Sequence, residues 1–355
     1  MPTKDELRIM QAYPLDLKIK KTKQRIREFV GYFGEQDCAV SFSGGKDSTV
    51  LLHIVRELYP NMEAVFCNTG LEYPEIQKFA KSFDNVTVIS PHLTYAQVIE
   101  KYGYPFISKE VSERVYNARR CLASLNAGGG ISTLNITTSL QKSFPIKVQQ
   151  LFGTGGFFSS RYDFSRWKDL LTLDFKLSHL CCNVMKKRPF HSYGKKMITA
   201  TMAEESQLRQ SAWLRTGCNA FNKGMSKPMS FWTAQDVLRY IKENNLPIAS
   251  VYGEIVYGER GGMQYSTSLC DSNAHLCTTG CERTGCFACG FGAHREKGEG
   301  RFVRLKRTHP RQYDYCMDGG EYGEDGFWKP NTKGLGMAHV IDELNRLYGN
   351  DFIKY

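Results

Sequence analysis

Between a short apolar run, Cys38-Ala39-Val40-Ser41-Phe42, and a helical repeat beginning near Asp47 stands the hexapeptide Ser43-Gly44-Gly45-Lys46-Asp47-Ser48. Glycines let backbone approach a bound anion closely, and the first N–H groups of a helix point at it. Lys46 adds a positive charge, and Ser43 and Ser48 add hydroxyl donors, so the residue types and their spacing suit a phosphate site. The loop is not a Walker A loop: Asp47 follows Lys46 where Ser or Thr is required, and no glycine lies six positions before the lysine. A GTPase or P-loop kinase is thereby excluded, and a plain strand-to-helix turn is the remaining alternative.

The elements that would present this loop alternate in type. Leu17, Ile26, Phe29, Val30 and Phe33 recur at near-helical intervals, which predicts an amphipathic helix over residues 15 to 33 that ends near Gly31 and Gly34. Strand Cys38 to Phe42, the loop, and a helix from Asp47 to about Tyr59 follow, with Val50, Leu51, Ile54, Val55 and Leu58 recurring. Ala64 to Cys67, a helix after Pro74, Val86 to Ile89 and a helix from Thr94 to Tyr102 continue the pattern of a parallel sheet flanked by helices. Between Cys121 and Phe164 the stretches Asn126-Ala127-Gly128-Gly129-Gly130 and Gly153-Thr154-Gly155-Gly156 read as loops, suited to a lid or linker. Order resumes with a strand at Met197 to Met202, a helix from Glu205 to Leu214, and a capped helix start at Trp232 to Leu238. The expected division is a helical segment at 1–34, a nucleotide-binding α/β domain at 35–240 with a flexible insertion at about 123–165, and a Cys-rich basic region at 241–355.

Composition bounds the possibilities. With 41% apolar and 23% charged residues over 355 positions, the chain reads as globular, and no apolar run reaches the roughly 18 residues of a membrane helix. The N-terminal residues lack the pattern of a secretory signal, so a cytoplasmic location is expected, and the twelve cysteines read as thiols or metal ligands. Forty-seven basic against thirty-six acidic residues give +11, which favours nucleotides or nucleic acid as partners; the alternative is a solvated basic surface. The eight histidines show no metal-ligand or triad spacing.

The hexapeptide matches the SGGxDS signature of the PP-loop ATP pyrophosphatase superfamily at every position, and later segments resemble its phosphoadenosine phosphosulfate (PAPS) reductase-like branch. Asn68-Thr69-Gly70-Leu71-Glu72-Tyr73-Pro74-Glu75 is similar to the TG-x-x-x-PE element beside the nucleotide, and Glu205-Ser206-Gln207-Leu208-Arg209 to an ES-x-x-R motif. Pro228 with Phe231-Trp232-Thr233-Ala234-Gln235-Asp236-Val237 resembles a further helix start, in which Trp232 is read as packing. The resemblance implies an adenine-nucleotide alpha hydrolase-like α/β fold whose loop cradles the pyrophosphate end of ATP. Ser43, Gly44, Gly45, Lys46, Asp47, Ser48, Asn68, Thr69, Gly70, Glu205 and Arg209 would bind the nucleotide. Lys46, Asp47 and Arg209 would serve the reaction: Lys46 neutralising phosphate and Asp47 assisting Mg²⁺ or loop geometry. From the residues alone, Arg209 could hold a phosphate or pair with Glu205 four positions earlier; the resemblance favours the ligand role.

Cys181-Cys182, followed by Lys186, Lys187 and Pro189, resembles the double-cysteine element of cluster-bearing members, and Cys286-Phe287-Ala288-Cys289 their later pair. The resemblance implies that these four thiolates hold a 4Fe-4S cluster, with Lys186, Lys187, Arg283 and Arg295 offsetting their charge. Zinc is the alternative, because Cys270, Cys277, Cys281, Cys286 and Cys289 alone could make a structural site, and Cys218 is a further candidate ligand. Cys38 and Cys67 fall in expected core strands, whereas Cys121 and Cys316 carry no assignment. From His294 to Tyr315, basic residues interleave with Phe302, Tyr313 and Tyr315, a pattern that suits nucleic acid or a solvated surface over the cluster loop.

The expected activity is therefore ATP-dependent adenylation of an acceptor with pyrophosphate release, coupled to iron-sulfur-dependent sulfur transfer. The charge balance permits a nucleic-acid acceptor, and a sulfur- or electron-donor protein is the further partner. Sulfonucleotide reduction releasing sulfite, with Cys286 or Cys316 as thiol donor, is one alternative. The resemblance departs there: thioredoxin-dependent members end in ECG-x-H, whereas this sequence ends Gly349 to Tyr355 with its last cysteine at Cys316. A nonenzymatic nucleotide- or DNA-binding accessory protein is the other alternative.

Overall fold

The computed structural model describes residues 2–125, 141–154, 160–258, 265–266 and 275–355. The expected lid residues Gly128, Gly155 and Gly156 lie outside the described residues, as does Cys270. The chain forms two compact units, each from two stretches: Met1–Pro91 with Arg188–Gly285, and His92–Lys187 with Cys286–Tyr355. The breaks expected near residues 34 and 240 do not coincide with these boundaries, because the N-terminal helix and residues 241–285 both join the first unit.

The first unit is built on six strands: β1 (Cys38–Ser41), β2 (Ala64–Cys67), β3 (Val86–Ile89), β4 (Lys196–Ile198), β5 (Asn219–Ala220) and β6 (Met225–Ser226). Their order is β3-β2-β1-β4-β6-β5, parallel except for β5 against β6. Val40 of β1 pairs with Ala64 and, on its other side, with Ile198. The central strands β1 and β2 read as unbroken apolar runs because helices cover both faces of a parallel sheet. One core is filled by Ile26 and Phe29 of helix Leu15–Phe33, Phe42, Val50 and Ile54 beside the loop, and Trp232. Trp232 is fully buried and donates its indole N–H to Thr22 Oγ1 at 2.8 Å, which is the packing role the sequence suggests. A capping box of Thr233 and Asp236 starts helix Ala234–Glu243, and Asp236 also takes the buried Lys18 ammonium. Strands Ile255–Gly258, Tyr265–Ser266 and His275–Thr278 form a small antiparallel sheet in the same unit.

The second unit is mainly helical. It holds helices Tyr95–Tyr102, Lys109–Leu125, Ile146–Phe152, Arg301–Thr308, Pro310–Met317 and Met337–Tyr348, and a two-stranded parallel pairing of Phe106–Ile107 with Gly290–Phe291. Inside the stretch expected to be irregular, helix Ile146–Phe152 is ordered by Gln150, whose carbonyl accepts two bonds from the buried Arg114 guanidinium. The basic stretch near the C-terminus folds into two helices that use Phe302 and Tyr313 as core side chains. These two rings are therefore not available to stack on bases; Tyr315 stays exposed. No described helix is long and apolar enough to cross a membrane.

A candidate nucleotide site and a group of four thiols

Strand β1 delivers Ser43 at its carboxyl end, and helix Lys46–Arg56 starts three residues later. Gly44 has φ +69°, and a Cβ there would lie 2.9 Å from the Ile76 carbonyl oxygen, so the position accepts only glycine. Ser48 Oγ takes the Ser43 N–H at 3.2 Å, lies 3.0 Å from Ser43 Oγ and donates to the Gly45 carbonyl at 2.9 Å, which sets the loop's curvature. Lys46 is 7% exposed, and its ammonium meets Asp47 Oδ1 at 2.8 Å. Asp47 is thus held by the lysine one residue before it.

Strand β2 neighbours β1 in the same direction, so its following loop emerges at the same carboxyl edge, where ligands of open parallel sheets gather. There Thr69 gives both its N–H and its hydroxyl to the buried Glu72, at 3.0 and 2.8 Å, and Asn68 Oδ1 accepts the Gly70 N–H at 3.1 Å. Asn68 and Thr69 serve the turn with their side chains, and Gly70 takes a left-handed conformation there.

Glu205 ends a single turn, Ala203–Glu205, and Ser206 caps the helix that carries Arg209 by accepting its N–H. The i,i+4 pair of Glu205 and Arg209 is formed, but Glu205 also takes the guanidinium of Arg283. Burial and the Arg283 charge lower the affinity of Arg209 for its proton, and the Asp47 charge opposes them. Two guanidinium groups share one carboxylate, leaving a surplus positive charge within electrostatic reach of Asp47. That imbalance suits a polyanion. Tyr252 and Thr284 complete the surroundings of the loop: the Tyr252 hydroxyl accepts the Lys46 N–H at 3.3 Å and lies 2.6 Å from Thr284 Oγ1.

The second unit holds Cys181, Cys182, Cys286 and Cys289 together. Cys181 and Cys182 share a hydrogen bond with their sulfurs 3.9 Å apart, just ahead of a π-helical turn, Asn183–Lys187. That bond from Cys181 pulls the Cys182 thiol down, aided by Lys109 and Lys186; Cys181 is pushed up, by the same bond and then by burial, with the Cys286 and Cys289 charges adding to it. Cys289 closes a tight turn onto the Cys286 carbonyl at 3.1 Å, and Arg301 donates to the Cys289 carbonyl at 2.8 Å. The hydroxyl of the buried Tyr95 donates to the Ala288 carbonyl inside that turn; burial raises its pKa well above the ordinary value, as do the Cys181, Cys289, Cys286 and Cys316 charges. Four thiols in mutual electrostatic reach, with Lys109, Lys186 and Arg301 beside them, are a donor set chemically suited to a 4Fe-4S cluster. Among the described residues no three His, Cys, Asp or Glu side chains converge on one point as for a single metal ion.

Of the expected offsetting cations, Lys186 stands beside Cys182 and Arg283 does not. Lys109 and Arg301 stand where Arg283 was expected, since Arg283 belongs to the first unit and pairs with Glu205. Cys218 is buried in the first unit's core beside Trp213, and Cys277 and Cys281 lie in that unit too. Cys316, with no role assigned by sequence, lies buried near Tyr95.

The phosphoadenosine phosphosulfate reductase domain matches residues 37–123 and 144–290, more than half of the chain. This chain belongs to the PAPS reductase family. Similar to it is an uncharacterised protein of Methanocaldococcus jannaschii, 22% identical over 323 residues, covering 87% of this chain and 56% of the relative. The phosphoadenosine 5'-phosphosulfate reductase of Xanthomonas oryzae is 30% identical over 107 residues, 27% of this chain and 44% of the relative. The PAPS reductase family chain thus spans about half the length of these curated relatives. Among solved structures, the U34-tRNA thiolase NcsA from Methanococcus maripaludis, with its 4Fe-4S cluster, is similar at a TM-score of 0.30 and 12% identity over 66% of each chain. A likeness of that score carries no weight for function here.

Proposed function

We propose that this PAPS reductase family protein binds Mg-ATP on the Ser43–Ser48 loop, adenylates an acceptor and completes a sulfur transfer at the activated position. The observation that carries the reading is the full six-residue loop at the start of a helix, with Lys46 buried beneath it and Arg209 and Arg283 sharing the single carboxylate of Glu205. An acceptor oxygen would bond to the α-phosphorus as the bond to the β-phosphate oxygen breaks, pyrophosphate leaving with the electron pair and the acceptor's proton passing to water. A hydrosulfide sulfur would then bond to the activated carbon as the carbon–oxygen bond breaks, AMP leaving with that electron pair and the sulfur's proton passing to water. Lys46, the loop amides and Arg209 would neutralise charge on the departing pyrophosphate, and Asp47 would help to hold the magnesium that accompanies the phosphates. Cys181, Cys182, Cys286 and Cys289 would hold a 4Fe-4S cluster, which supplies a site for binding and passing on sulfur. A nucleic-acid acceptor accords with the +11 charge.

A second reading, reduction of a sulfonucleotide to sulfite, is favoured by the 30% identity with the Xanthomonas reductase. Anaerobic purification with iron and zinc counted, followed by assays of Mg-ATP and of both sulfonucleotides in one preparation, separates the readings. Iron near four per chain and pyrophosphate from ATP are expected. Sulfite from adenylyl sulfate or its 3'-phosphorylated form would replace this reading with the second, and zinc without turnover would leave a binding protein.

A further inference from the structure

Gly45 has φ −81°, a value open to any residue, so its backbone does not explain the second glycine of the loop. What does is the close approach of two hydroxyls: a Cβ on Gly45 would lie 3.2 Å from both Ser43 Oγ and Tyr252 OH. Tyr252 is 2% exposed, and its oxygen accepts the N–H of Lys46, one of the first-turn amides that no helical carbonyl can reach. Burial pushes the phenol up to about 12, so the group keeps its proton near neutrality. A phenol has one proton to give and two lone pairs. With one lone pair on Lys46 N–H and Thr284 Oγ1 at 2.6 Å, the direction of the Thr284 hydrogen bond decides whether the Tyr252 proton is used internally or is turned toward the loop's ligand.

The segment that carries Thr284 is firmly placed. Its residues Thr279, Gly280 and Cys281 bond through their N–H groups to the carbonyls of Glu254, Tyr252 and Val251 at 3.0, 2.9 and 2.9 Å. A Cβ on Gly280 would lie 2.4 Å from the Val251 carbonyl oxygen, so the two stretches touch backbone to backbone. The same segment brings Arg283 to Glu205 and hence to Arg209. One short strap therefore reaches two parts of the site, through a hydroxyl pair and through an ion pair.

We propose that Tyr252, set by Thr284, is a positioning residue of the nucleotide site: it fixes the first amide of helix Lys46–Arg56 and presents its hydroxyl to the polyphosphate. This rests on the reading that the loop binds Mg-ATP. The test uses the full chain with its metal intact and compares wild type, Tyr252→Phe, Thr284→Val, Thr284→Ser and the Tyr252→Phe/Thr284→Val double variant. Mg-ATP affinity is read by calorimetry, KM and kcat by pyrophosphate release, and folding by the thermal midpoint. Loss of a buried hydroxyl partner should weaken Mg-ATP and raise KM about tenfold in Tyr252→Phe and about threefold in Thr284→Val, with kcat within about threefold. Thr284→Ser should match wild type, and the double variant should match Tyr252→Phe. Tyr252→Phe binding Mg-ATP like wild type, or additive losses in the double variant, would overturn the inference alone. If Tyr252→Phe does not fold, equal affinity of Thr284→Val and Thr284→Ser overturns it. Wild-type protein that binds no Mg-ATP overturns both this inference and the ATP reading.

Discussion

The candidate sites of the two units are built in opposite ways. In the first, the candidate site is mostly backbone: a loop curved by two serines, a helix start and glycines at which a side chain would collide, with charge added at the margin by Arg209 and Arg283. In the second, the candidate site consists of side chains, two sulfurs at a helix start and two on a tight turn, with backbone serving to hold those elements in place. A backbone site is fixed by the fold and rejects added atoms, whereas a side-chain site is fixed by residue identity and rejects substitutions of its donors. Vulnerability should differ accordingly.

Lys46→Ala tests the contrast most severely. Removing a buried charge from the phosphate loop should lower pyrophosphate release by about a hundredfold or more while iron per chain stays unchanged. Parallel loss of iron would show that the two sites do not act separately. Gly44→Ala comes next: the left-handed backbone and the contact with the Ile76 carbonyl should cost about 2 kcal/mol, seen as a lower urea midpoint. An unchanged midpoint would mean the loop yields more easily than its geometry implies. Replacing Cys182 and Cys289 by serine should reduce bound iron about tenfold and leave Mg-ATP affinity within about twofold, since the donors are lost and the loop is not. The smallest effect is expected from Glu205→Gln, which keeps the shape and removes the charge shared by Arg209 and Arg283. KM for Mg-ATP should change by about threefold at low salt and less at high salt, as measured by steady-state pyrophosphate release.

Much of the first unit was legible because its signals are local. The apolar runs of β1 to β3, the helix repeat after Asp47, and the Thr94 and Thr233 caps each announce themselves within a few residues, and each element falls where the pattern predicts. Arg283 was misread because its partner, Glu205, lies 78 positions away, and the cysteines around it suggested a different neighbour. Tyr252 was missed for the same reason, at a separation of 206 from Lys46. Helix Lys109–Leu125 is a different case: Val111, Val115, Ala118 and Leu122 form a regular buried stripe that was there to be read amid the charges. The resemblance to known motifs supplied what periodicity could not, namely which four of twelve cysteines to group. The structure places those four in one unit, and puts Cys218, Cys277 and Cys281 in the other.

Strand β1 takes its second neighbour, β4, from residues 196–198, more than 150 positions after it leaves the ribosome. At about 5–20 residues per second, the flank of β1 that awaits β4 stays unpaired for roughly ten to thirty seconds of synthesis. During that interval the half-sheet of β1, β2 and β3 exposes a row of free amides and carbonyls, the template on which chains join edge to edge. The nascent protein therefore has a built-in interval of aggregation risk, one that would respond to translation speed and to chaperone supply.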